Sequence, residues 1–103
     1  MTGVGLIAAE RQRQIEKEGW DAEHDDDHDG EQLAFAAVCY ALPKRSMSLN
    51  YGLAEIGVEI TDLFWPWDEE WWKPTPKNRI RELEKAGALI AAEIDRLLRL
   101  EKA

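Results

Sequence analysis

Apolar positions recur at helical spacing in three stretches of this chain and lose that spacing in the segments between. Over residues 4–18, Val4, Ile7, Ala8 and Ile15 mark one helical face. Arg11 falls on the same stripe, four residues from both Ile7 and Ile15. A cation there must snorkel, pair with an acid or face a ligand. Gly19 ends this helix, and Trp20 follows as an anchor against the core. A second helix is predicted over residues 30–42, rich in the small residues Ala34, Ala36, Ala37 and Ala41 and ended by Pro43. Asp29 stands where a cap belongs, with Gln32 three positions on in a capping-box-like arrangement. The clearest periodicity comes last. Thr75 is the expected cap and Pro76 the first position of a long helix. Its stripe Ile80, Leu83, Gly87, Ile90, Ile94 and Leu97, spaced 3, 4, 3, 4, 3, is expected to pack on the first two helices.

The intervening segments are less regular. Residues 21–30 read as a polar loop and residues 43–52 as another. Residues 53–64 fit two patterns. Ile56, Val58 and Ile60 alternate with Glu55, Gly57, Glu59 and Thr61, as in a short strand, whereas Leu53, Ile56, Ile60 and Leu63 fit a helical face. Gly57 and the β-branched residues favour an extended segment. The expected fold is therefore mainly α: a compact single domain over residues 1–103 with three, or four, helices and a Trp/Pro-rich loop before the long C-terminal one.

A chain of 103 residues supports one hydrophobic core. The balance of 13 Lys plus Arg against 21 Asp plus Glu, net −8, argues against a DNA- or RNA-binding protein. Such binding is mostly counterion release by clustered cations. A small nucleotide needs only one or two placed cations and stays open. Cys39 is the single cysteine, so no internal disulfide forms, and a reducing cytoplasm is the expected setting. Neither a signal peptide nor a run of 18 apolar residues is present, so no membrane span is expected. Leu98 and Leu100 broaden the apolar surface near the C-terminus, which points either to a homo-oligomer or to closure of the monomer's own core.

Four of the five tryptophans fall within eight residues, Trp65, Trp67, Trp71 and Trp72, with Pro66 and Pro74 fixing the backbone around them. Rings held this way beside Lys73, Arg79 and Arg81 suit stacking on a flat ligand, at about 1–3 kcal/mol per base, or anchoring a partner protein. Two or three of them are expected to seal the core instead. A second group is His24-Asp25-Asp26-Asp27-His28. Two imidazoles four apart with carboxylates between them have the donors for Zn²⁺, Mn²⁺ or Ni²⁺. A solvated acidic loop is the plainer alternative. Nucleophilic catalysis has little support: Cys39 sits in an apolar helical context, and no Gly-x-Ser-x-Gly or Gly-rich phosphate loop occurs.

Three resemblances bear on function. Glu59-x-x-Asp62, with Glu55 before it, resembles half of the paired acidic pattern of all-helical nucleotide pyrophosphatases of the MazG type. This implies Mg²⁺ or Mn²⁺ on Glu55, Glu59 and Asp62, although Glu31 is followed three later by Ala34 rather than a second acid. The segments Glu10-Arg11-Gln12-Arg13-Gln14-Ile15, Glu18-Gly19-Trp20, Trp65-Pro66-Trp67, Trp71-Trp72-Lys73-Pro74 and Lys85-Ala86-Gly87-Ala88-Leu89-Ile90 resemble a group of small phage and prophage proteins without assigned function. That likeness implies the cytoplasm of a bacterial host. The Gly19-Trp20 step after a first helix and the Arg79-led closing helix are similar to ryanodine-receptor-type repeat domains, which implies a nucleotide-derived ligand. The leading expectation is a non-catalytic protein that sequesters a small nucleotide-type signal, as a phage anti-defence device. Trp20, Trp67, Trp71 and Trp72 would supply stacking, Arg11, Lys73 and Arg79 would meet phosphates, and His24 and His28 would act as donors. The pyrophosphatase and a protein-interaction module built on the tryptophan loop are the alternatives.

Overall fold

The computed structural model describes residues 1–43 and 63–102. Helix α1 spans Gly3–Glu18, α2 Ala22–Asp26, α3 Gln32–Ala41 and α4 Arg79–Lys102, with one 3₁₀ turn at Glu69–Trp71. No strand occurs among the described residues. The mainly helical single domain expected from the sequence is what forms. Leu63 and Phe64, the described end of the ambiguous 53–64 stretch, are helical; the rest of that stretch lies outside the described residues.

Local chemistry sets the helix ends. Thr2 Oγ1 accepts from the Gly5 amide at 3.1 Å and starts α1. Gly19 ends it at φ 74°, left-handed backbone that glycine reaches without a Cβ clash. The supposed loop 21–30 holds a short helix, because Asp21 caps α2 by accepting from the His24 amide at 3.0 Å. The expected cap of α3 is displaced as well. Residues 27–30 are used in the turn out of α2, so Glu31 rather than Asp29 takes the capping position, at φ 65° and without a side-chain cap. Similarly, Thr75 and Pro76 belong to a turn closed by the Asn78 amide donating to the Thr75 carbonyl at 2.9 Å. Asn78 Oδ1 then accepts from Arg81 N at 3.1 Å and caps α4 three residues later than expected.

Helix α4 is the spine on which α3, α1 and the short α2 pack. The core is Leu33, Ala36, Ala37 and Tyr40 of α3 against Ala86, Leu89 and Ala92 of α4. Alanines on both sides let the backbones approach closely. This choice rotates α4 away from the heptad stripe. Ile80, Leu83, Ile90, Ile94 and Leu97 are 64, 45, 48, 51 and 43% exposed, while Glu82, Glu93 and Arg96 are buried. At Gly87 the predicted seam meets α1 closely: a Cβ there would lie 2.5 Å from Ile7 Cδ1. The expectation that the whole stripe buries itself on the first two helices is therefore corrected.

The buried face of α1 is polar. Glu10 is 2% and Gln14 1% exposed, whereas Val4 is 79% exposed. Glu10 Oε1 is 2.7 Å from Arg13 Nε and 2.6 Å from Arg81 Nη1, so α1 and α4 are joined by a buried carboxylate between two guanidiniums. Burial pushes the Glu10 carboxyl up, but its hydrogen bonds to Arg13 and Arg81 outweigh burial and hold it below the ordinary glutamate value. Arg99 Nη2 reaches Asp26 Oδ1 at 2.8 Å and ties α2 to α4.

Candidate functional site

The junction of α1 and α2 is organised by one side chain. Asp25 is 0% exposed, and its two oxygens have separate partners. Arg11 Nη2 donates to Oδ2 at 2.5 Å, and His24 Nδ1 donates to Oδ1 at 3.0 Å. Arg11 Nη1 also donates to the Trp20 carbonyl at 2.9 Å. Arg11 thus takes the second of its three predicted roles. It pairs with an acid and positions Trp20, and does not project into solvent to meet a phosphate. Desolvating either charge alone would cost several kcal/mol, which the pairing offsets.

Four rings follow in a closed circuit. Trp20 stacks on His24 with centroids 5.9 Å apart and planes 11° apart. The rings of His24 and His28 are 4.6 Å apart, those of His28 and Trp67 5.2 Å, and those of Trp67 and Trp20 6.0 Å. Burial, and after it the charge of His24, hold the His28 imidazole below the ordinary histidine value. The circuit floors a cleft of about 480 Å³ lined by Glu18, Trp20, His24, His28, Pro66, Trp67, Asp68 and Trp71. That is the size of a small-molecule site. The indole N–H of Trp67 is buried without an acceptor among the described residues. An unpaired buried donor of this kind costs about 1–3 kcal/mol.

The other tryptophans close the core. Trp72 lies 4.6 Å from Tyr40 and 4.9 Å from Trp65, which meets Tyr40 edge-on at 87°. Trp72 is thus placed with the filling rather than with the cleft. Trp65 Nε1 donates to the Asp68 carbonyl at 3.1 Å and folds the Trp-Pro-Trp-Asp turn back on itself. The loop's far end is fastened by the Lys73 amide donating to Tyr40 Oη at 3.2 Å and by Lys85 Nζ donating to the Lys73 carbonyl at 2.7 Å.

The predicted cations separate. Lys73 stands at the cleft rim, its Nζ 5.8 Å from the Trp71 ring centroid and 3.4 Å from Glu18 Oε2. Arg79 is elsewhere. Its guanidinium donates to the carbonyls of Tyr40, Ala41 and Leu42, closing the carboxyl end of α3. A cation there complements the helix dipole and satisfies orphan carbonyls. The structure therefore brings Trp20, His24, His28, Trp67, Trp71 and Lys73 together and gives Arg11, Trp72 and Arg79 supporting work.

No family model, no curated protein and no solved structure matches this chain. The site must be read from its own chemistry. Among the described residues no three His, Cys, Asp or Glu side chains gather into a metal cage. Glu55, Glu59 and Asp62, the ligands the pyrophosphatase pattern would need, lie outside the described residues. Burial pushes the Cys39 thiol up to about 11, so it is a protonated, inert side chain at neutral pH. No described helix is long and apolar enough to cross a membrane.

The residues missed from the sequence are Glu18, Pro66 and Asp68 as cleft lining and Asp25 as pivot. Glu18 precedes Gly19-Trp20, and Pro66 and Asp68 flank Trp67, so adjacency to a predicted ring was the available signal. Asp25 carried none. It stands beside Asp26 and Asp27, and only the fold separates a buried pivot from its exposed neighbours.

Proposed function

We propose that this protein is a non-catalytic binder that captures a small nucleotide-derived signal in the cleft between Trp20, Trp67 and Trp71. The observation that carries this reading is the aromatic circuit of Trp20, His24, His28 and Trp67, which floors a cleft of about 480 Å³. A flat base is the group such rings hold best, through stacking that any base satisfies. Glu18 and Asp68 on the lining favour accepting from ribose hydroxyls or base amino groups and disfavour a deeply seated phosphate. Phosphates would then lie outward, toward Lys73 at the rim. This is a narrower reading than one in which Arg11 and Arg79 also meet the ligand. In the phage-infected bacterium that the sequence leads us to expect, sequestering a defence messenger in this way would blunt host immunity. Calorimetry with cyclic dinucleotides, cyclic ADP-ribose isomers and related NAD products tests the reading. Binding of one of them, its chemically intact recovery and its loss in Trp67→Ala are the expected results. No binding across the panel, or recovery of a cleaved product, overturns it.

The exposed α4 stripe favours a second, compatible reading. Ile80, Leu83, Ile90, Ile94 and Leu97 stand at coiled-coil spacing on one 24-residue helix, and all are more than two-fifths exposed. A heptad seam is the pattern that another helix with the same seam covers, so the proposed occupant is a second copy of this chain. Sedimentation is expected to give a dimer for the native chain and a folded monomer for Ile90→Glu/Ile94→Glu; a native monomer refutes the pairing.

A further inference from the structure

We infer that His24 and His28 form a two-histidine site for a borderline transition-metal dication, Zn²⁺ above all, with its remaining coordination positions open to the aromatic cleft. The inference goes beyond capture of an aromatic ligand and does not depend on it. Its first support is distance. The two Nε2 atoms lie 3.3 Å apart. Two nitrogens each about 2.0–2.1 Å from one zinc ion, at a tetrahedral angle, stand about 3.3–3.4 Å apart. A direct imidazole-to-imidazole hydrogen bond is normally shorter, with a mode of about 2.9–3.0 Å for N–H donors.

The second support is orientation. Asp25 Oδ1 accepts from His24 Nδ1 at 3.0 Å, which places the ring hydrogen on Nδ1 and leaves a lone pair on the Nε2 that faces His28. A carboxylate behind a histidine is the arrangement that fixes the tautomer and raises the basicity of a metal-binding imidazole. Asp25 is itself held by Arg11 and is 0% exposed, so the His24 ring does not turn freely. With His28 in the matching tautomer, both Nε2 atoms carry a lone pair within the span of one metal ion.

The third support is access. Both histidines line the cleft, so water or a ligand atom can complete the coordination. Two protein nitrogens and open positions make this a site of exchangeable ligation rather than a closed structural one. Imidazole donors select Zn²⁺, Ni²⁺, Co²⁺ and Cu²⁺, whereas Mg²⁺ and Ca²⁺ prefer oxygen. The net charge of −8 raises the local concentration of any dication but does not choose among them.

The test uses the full chain, stripped with a chelator and titrated near neutral pH. ZnCl₂ is followed by calorimetry, CoCl₂ by visible absorbance and MgCl₂ as the oxygen-seeking control. Expected are one Zn²⁺ per chain, Co²⁺ absorbance bands of nitrogen ligation, no Mg²⁺ uptake, and binding weakened about tenfold or more in His24→Ala and in His28→Ala. Circular dichroism verifies the fold of each variant. Should His24→Ala lose its helical signal, His28→Gln decides in its place. The inference is overturned if Zn²⁺ does not bind, if folded variants bind it as tightly as the native chain, or if Mg²⁺ binds equally well, which would assign the ion to the neighbouring carboxylates.

Discussion

Two aromatic clusters share one loop and meet where Trp65 and Trp67 cross edge-to-face at 5.4 Å, yet they do opposite work. Tyr40, Trp65 and Trp72 form a plug. The plug is backed by the α3–α4 core and fastened through the Lys73 amide, Lys85 and Arg79. Trp20, His24, His28 and Trp67 form a wall with one side on the core and the other on a cleft. The indoles of both clusters pack against the same core, so the difference lies in what else they meet. The plug leans on alanines and leucines that admit no water. The wall leans on α2, which is five residues long and held by buried charge at Asp25 and surface charge at Asp26. Indoles that meet only the core and one another fill it, whereas indoles that also meet the polar α2 keep an accessible face.

That contrast breaks first if a plug residue proves dispensable. Trp72→Ala is expected to cost about 4 kcal/mol, the range of a large aromatic removed from a packed site, read as a shift in the urea midpoint at constant m-value. A loss below about 1 kcal/mol would place Trp72 with surface substitutions and dissolve the distinction. Next in size is the wall's polar backing. Asp25→Ala leaves Arg11 without its acid and His24 without its acceptor, and is expected to cost about 3 kcal/mol. In the variants that still fold, the quenching of tryptophan fluorescence by cleft ligands should vanish as well. Unchanged ligand response would mean that the wall stands without Asp25.

Glu10 supplies a smaller effect with a distinctive pH dependence. Glu10→Gln is expected to cost about 2 kcal/mol at neutral pH, less than a sealed pair because Arg13 and Arg81 stay partly hydrated. Its folded-state carboxyl lies below the ordinary value of 4.5, after burial, which raises it, is outweighed by Arg13 and Arg81. The stabilising contribution is therefore complete above that ordinary value and is lost as the pH falls through the folded one. Melting temperatures of native chain and variant should differ at neutral pH and converge in acid. A gap that persists in acid would assign the effect to packing rather than charge. The smallest expected effect is that of Trp71→Ala. Trp71 is 43% exposed and is not among the rings packed against the core, so its stability change should stay within about 0.5 kcal/mol while ligand binding weakens measurably. Equal losses in Trp71→Ala and Trp72→Ala would erase the division between wall and plug.

Helix existence was legible in the chain wherever a terminator or a long period stood in it. Gly19 ended α1 as expected because a left-handed residue is needed there and glycine supplies it. Caps were less legible. Asp29 and Thr75 had the right chemistry, but turns between elements consumed them, and Glu31 and Asn78 took the capping positions. The cleft was half legible. Trp20, Trp67, Trp71, His24 and His28 announced themselves by type and clustering, whereas Arg11 and Arg79 looked like ligand cations and turned out to be committed to Asp25 and to the carboxyl end of α3.

Periodicity, stop signals and composition, all local or additive properties, determined that this chain is a helical domain with an indole-rich loop. Only the tertiary structure decided which face of α4 is buried. The heptad seam lost to the alanine face, because α3 is itself lined with alanine and two small-residue faces approach more closely than two branched ones. It also decided which of three adjacent aspartates would be buried and which tryptophans would meet water. Those outcomes depend on what stands opposite a side chain in space, and residue order along the chain does not encode that neighbour directly.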